Sequence, residues 1–231
     1  MENIVPVLTA ISVLVAVVSV AAGIFYALSR LRAGEPVRLP VRLLLRGYLH
    51  TVALVGLVLL ALGLSSLLQS AFGATLGKEF SYNPVYIAPR PVVPPEKGME
   101  PVNGEETRQK GLERAFQEGL INGVSLTVVG SIIWGLHLWG RRRIENPEER
   151  AGVLSRFYVM LGLALFSLIA IVNLPQALAG TIRYYALEPL DPFQRAHPPG
   201  SKLALALVSM PIWLSYLLRA IKSIRSPGEE Q

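Results

Sequence analysis

Long apolar stretches alternate along this chain with short connectors that are charged or rich in proline. Five stretches stand out, at residues 4–28, 47–72, 119–139, 157–182 and 203–221. A hydrocarbon core about 30 Å thick takes roughly 20 apolar residues in a helix, and each stretch is of that order. The pattern therefore predicts an all-α, polytopic membrane protein with five transmembrane helices. The third stretch ends most sharply: its apolar run passes into Trp134, His137 and Trp139 and is stopped by Arg141, Arg142 and Arg143. A weaker copy follows around Trp213 and Tyr216 and ends at Arg219.

Taken in order, residues 1–29 form an N-terminal transmembrane helix. Val20, Ala21 and Ala22 resemble a signal-peptidase site, but only Met1 and Glu2 precede the apolar run. A cleaved signal needs positive charge there, so the favoured reading is an uncleaved span. Residues 30–142 form a first two-helix unit, with spans at 47–72 and 119–139 joined by a long loop at 74–118. Six prolines from Pro84 to Pro101 make the first part of that loop extended. Residues 105–118 have helical composition and form an amphipathic lead into the third span. Gly56 and Gly63 are spaced to let another helix approach closely. Residues 143–231 form a second two-helix unit, with spans at 157–182 and 203–221, in which Pro175 and Pro211 predict kinks.

The connectors set the orientation. The 30–46 and 141–156 segments carry five arginines each, and the tail from Arg219 carries three basic residues. The 74–118 loop sums to −1. With five spans, all three basic segments fall on one side, which the positive-inside rule makes cytoplasmic. The expectation is a multi-pass protein of the cell inner membrane, N-terminus outside and C-terminus inside. The net charge of +6 thus reflects topology rather than nucleic-acid binding. The hydrophobic content of 52% and mean hydropathy of +0.44 agree with lipid as the main partner. There is no cysteine, which excludes disulfides and thiolate chemistry.

Aligning Trp134 with Trp213 pairs Val129 with Val208, Gly130 with Ser209 and His137 with Tyr216; aligning Arg46 with Arg156 pairs Tyr48 with Tyr158. Spans two and three therefore resemble spans four and five, as two parallel-repeat helical hairpins. Arg-x-Tyr before an aliphatic span, then Val-Gly-x-x-x-Trp-x-x-His and closing arginines, resembles a bacterial multi-spanning membrane family, the domain of unknown function DUF5671. Arg46, Tyr48, Val129, Gly130, Trp134, His137 and Arg141 carry the resemblance, which extends over about 46–222. The second unit departs from the pattern at Ser209 and Tyr216. The family implies a helical membrane fold and lends no activity.

Two groups of residues could carry chemistry. His50 lies four residues after Arg46, and His137 four before Arg141. At 1.5 Å of rise per residue both sit near the same membrane boundary, where they could ligate a haem b axially or simply be wetted by headgroups. Near the other boundary, Gln69, Asn122, Asn173 and Gln176 could line an outward-facing ligand pocket or hydrogen-bond between helices. The chain shows no Walker loop, zinc-protease motif or nucleophile elbow, and no ionisable residue deep in a span. The expectation is no catalytic residue, no metal site and no obligate cofactor. The leading function is an accessory or structural subunit that binds other membrane-protein subunits; haem binding and a small-molecule pore or carrier are the alternatives.

Overall fold

A computed structural model of the chain describes residues 23, 24, 28, 32, 41–82, 104–187 and 198–225. Among them the elements are all helical: α1 (Val41–Thr75), α2 (Lys78–Ser81), α3 (Gly104–Ile144), α4 (Pro147–Ala151), α5 (Val153–Ala186) and α6 (Gly200–Arg225). Four segments among the described residues are long and apolar enough to cross a membrane: Val41–Thr75, Glu106–Ile144, Pro147–Ala186 and Gly200–Lys222. The expected first span at 4–28, apart from isolated positions, lies outside the described residues, as do 83–103 of the proline-rich loop and His197.

Each helix overruns its apolar core. Arg42 and Arg46 extend α1 at its start, because long basic side chains can lie along a helix while their heads reach toward water. The amphipathic lead and the third span are one continuous helix of 41 residues. No proline interrupts them, and the i,i+4 pairs Lys110–Glu106 and Arg114–Glu118 support the polar half. The long loop starts later than the pattern suggested, since α1 runs to Thr75. Gly77 then turns the chain with φ 102°, a conformation favourable only to glycine, and α2 follows. Between α3 and α5, Pro147 opens α4, and Glu149 Oε2 accepts the Asn146 N–H at 3.0 Å. Helices α5 and α6 continue through Pro175 and Pro211.

By proximity the chain forms two compact units: unit 1 is Met1–Ala61, Leu126–Leu168 and Ser209–Gln231, and unit 2 is Leu62–Ser125 and Ile169–Val208. The division follows helix segments rather than sequence order, so α1, α3, α5 and α6 each contribute to both.

In unit 1, α1 and α3 meet backbone to backbone. A Cβ on Gly56 would lie 2.7 Å from the Trp134 nitrogen, and one on Gly130 would lie 2.4 Å from the Leu60 nitrogen. Small residues permit this approach, which gives van der Waals contact where lipid removes the hydrophobic drive between helices. Gly162 of α5 likewise receives the Tyr216 ring of α6, which stacks on Phe166 at 6.1 Å. Thr51 and Tyr158 share a hydroxyl hydrogen bond of 2.5 Å between α1 and α5.

In unit 2, Gly119 and Gly123 of α3 continue the close approach, Gly123 against the Leu67 backbone. Ser66 Oγ donates to the Gly119 carbonyl at 2.9 Å. Helix α2 is held on several sides. Phe80 is 1% exposed, among Phe72, Tyr184 and Tyr185. The Tyr82 hydroxyl pairs with Ser70 at 2.7 Å. Ion pairs Lys78–Glu113 and Arg108–Glu79 join α2 to the polar half of α3.

Candidate functional site

The two histidines do not face each other. His50 is 2% exposed and packs against Tyr158, with ring centroids 4.8 Å apart. His137 is half-buried and meets the edge of Tyr48 at 5.6 Å. Tyr48 and His50 are two positions apart on α1, about 200° around a helix, so the imidazoles occupy opposite faces of α1. Each also spends Nδ1 on its own helix. His50 Nδ1 donates to the Arg46 carbonyl at 2.9 Å, and His137 Nδ1 to the Ile133 carbonyl at 2.7 Å. A carbonyl can only accept, which fixes the proton on Nδ1.

What His50 does join is a buried ion cluster in unit 1. The Glu145 side chain is 1% exposed. Around it lie Arg46 Nε at 3.6 Å, Arg141 Nε at 3.5 Å and His50 Nδ1 at 3.4 Å. Arg46 also donates from Nη2 to the Glu149 carbonyl at 2.7 Å. Arg42 pairs with the Glu149 carboxylate at 3.0 Å. The start of α1 is thereby tied to the α3–α4 corner. Arg46 and His50 share a helix face by their i,i+4 spacing, as do Arg141 and Glu145. Both spacings are visible in the sequence, but nothing there places Glu145 beside Arg46 and His50.

The four outer amides separate into two pairs. Gln69 Nε2 donates to the Ser81 carbonyl at 2.7 Å and so anchors α2. Asn173 is buried, with Nδ2 donating to the Ile169 carbonyl of its own helix at 2.8 Å. Asn122 and Gln176 are exposed. The four therefore do not converge on one pocket: two are used inside unit 2 and two lie on its surface. Among the described residues no group of three or more His, Asp or Glu is placed to hold a metal ion.

Residues 104–199 match the family described as Domain of unknown function (DUF5671). This is the family that the sequence motifs resemble, over a shorter range than 46–222. Val129, Gly130, Trp134, His137 and Arg141 fall within the match, whereas Arg46 and Tyr48 fall outside it. No curated protein and no solved structure matches the chain.

Proposed function

We propose that this protein is a non-catalytic, accessory component of a membrane complex, and that it docks a helix of another membrane protein against the exposed amides of unit 2. The observation that carries this reading is the exposure of Asn122 and Gln176 within two apolar spans. On α3 the nearest outer charge is Glu118, four residues before Asn122; on α5 it is Arg183, seven after Gln176. With 1.5 Å of rise per residue and a 30 Å core centred between the flanking charges of each helix, both amides lie roughly 4–5 Å inside the hydrocarbon. An amide left without a partner there costs on the order of 1–3 kcal/mol. A hydrogen bond to a neighbouring helix recovers roughly 0.6–2 kcal/mol.

The surroundings suit such a partner. Only 11% of the most apolar window of α3 is buried, against 44% for α1. Ile121 and Val124, in the unit 2 part of α3, are more than half exposed, which leaves apolar surface beside Asn122 for a helix carrying its own hydrogen-bonding side chain. In the same reading the arginine-rich connectors are cytoplasmic, the N-terminus is outside the inner membrane, residues 4–28 supply a fifth span, and the two hairpins are related copies.

Photo-crosslinking from positions 122 and 176 in native membranes, paired with co-purification in mild detergent, tests the proposal. The expected result is one crosslinked protein species that also co-purifies and is lost with N122L/Q176L. Crosslinks to lipid alone, or an unchanged partner in N122L/Q176L, would overturn it. A product of twice the chain's own mass would make the occupant a second copy instead.

A further inference from the structure

Unit 1 contains an open cleft of about 880 Å³ whose chemistry changes with depth. Its rim carries Arg141, Arg142, Arg150, Arg156, Arg219 and Lys222, and its one acid is Glu145. The cleft therefore holds an excess of five positive charges. Its floor is apolar, formed by Leu54 and Leu57 of α1, Trp134 and Leu138 of α3, and Ile212 of α6. Trp134 and Leu138 lie seven and three residues before Arg141, and Ile212 seven before Arg219. The floor is thus about 5–10 Å deeper along the same helices than the rim.

We infer that this cleft binds an anionic phospholipid of the surrounding bilayer, its phosphate among the rim cations and the upper part of an acyl chain on the Trp134–Leu138 floor. Charge and polarity argue together for this occupant. Six clustered cations repel one another, and a phosphate relieves that repulsion. Basic pockets between transmembrane helices at this level suit phospholipid headgroups. A soluble anion would satisfy the rim and leave the floor unused, and a neutral apolar ligand would do the reverse. The interior also presents groups without hydrogen-bond partners. His50 lines the cleft at 2% exposure, and neither its Nε2 nor Arg141 Nε has a hydrogen-bond partner among the described residues. The cleft lies in unit 1 and the exposed amides in unit 2, so lipid binding and partner docking are separable.

Trp134 reports on the floor directly. The chain has three tryptophans, and W139F/W213F leaves Trp134 alone. That variant is reconstituted in phosphatidylcholine with a brominated lipid at fixed mole fraction, either phosphatidylglycerol or phosphatidylcholine. Selective quenching by brominated phosphatidylglycerol is expected. Because each basic residue near a membrane surface contributes about a fivefold preference for anionic lipid, R156Q and R219Q are each expected to reduce the selectivity about fivefold. Both side chains are exposed and outside the Glu145 cluster, and R142Q serves if either variant fails to reconstitute. Equal quenching by the two lipids would overturn the inference, as would selectivity that persists in all the arginine variants. Displacement of the brominated lipid by glycerol phosphate would also overturn it, assigning the cleft to a soluble anion.

Discussion

Replacing Gly130 with alanine adds one methyl group where two helix backbones already touch. The new Cβ would lie 2.4 Å from the Leu60 nitrogen, 2.8 Å from its Cα and 2.9 Å from the Leu59 carbonyl carbon. Ordinary contact begins near 3.4 Å, so α3 must withdraw from α1 by about 1 Å. No side chain can rotate away to absorb this, because the obstructing atoms are backbone. Withdrawal also loosens the neighbouring contact of Gly56 with Trp134. Overpacking of this kind costs about 1–3 kcal/mol.

Gly135 is the control. It lies on the same helix, and a Cβ there meets nothing within 4 Å. Both substitutions gain the same helix propensity, about 0.8–1 kcal/mol, so the difference between them isolates the clash. At roughly 2–4 °C per kcal/mol for a chain of this size, G130A is expected to unfold about 2–12 °C below G135A. Thermal unfolding in one mild detergent measures it. Adding G56A to G130A is expected to cost less than G56A alone, because one withdrawal of α3 serves both. If G130A and G135A unfold within about 1 °C of each other, α1 and α3 are not in backbone contact at Leu60, and the glycine argument fails.

Other consequences can be measured separately. E145A strands Arg46 and Arg141 around a vacated buried site and is expected to cost about 3–5 kcal/mol in denaturant titrations; a loss below about 1 kcal/mol would mean the cluster contributes little. Burial pushes the Tyr82 phenol above its usual range, with Ser70 pulling weakly the other way. This contribution is present below the unfolded pKa of about 10 and is lost as pH rises through the raised folded value, so Y82F should remove part of the alkaline loss of stability. The chain has no cysteine, so a single cysteine replacing Gln231 is expected to resist a membrane-impermeant thiol reagent in intact cells; labelling from outside would reverse the proposed orientation. Since His50 and His137 engage opposite faces of α1, the purified protein is expected to show no Soret band; a band abolished by either H50A or H137A would restore the bis-histidine reading.

Span length was legible in the sequence because the thickness of the bilayer sets it. Facing was not, because it depends on how each helix is rotated about its axis. On α3 that rotation follows from Gly119, Gly123 and Gly130, which turn toward α1. Asn122 is one position from Gly123, about 100° around the helix, and so points away from the contact. On α5, Asn173 and Ala177 share a buried face at i,i+4 spacing, with Ala177 fully buried, and Gln176 falls off that face. Four amides at one depth therefore left both a pocket and hydrogen bonding between helices open, and became two internal ties and two surface groups once the helices were phased. The Glu145 cluster was hidden for a related reason. Arg46–His50 and Arg141–Glu145 are each visible as i,i+4 pairs, but their meeting joins residues nearly a hundred positions apart through the backbone contact of α1 with α3. The same glycines that permit this contact orient α3, so they determine which of its polar groups are consumed inside the protein and which remain at its surface.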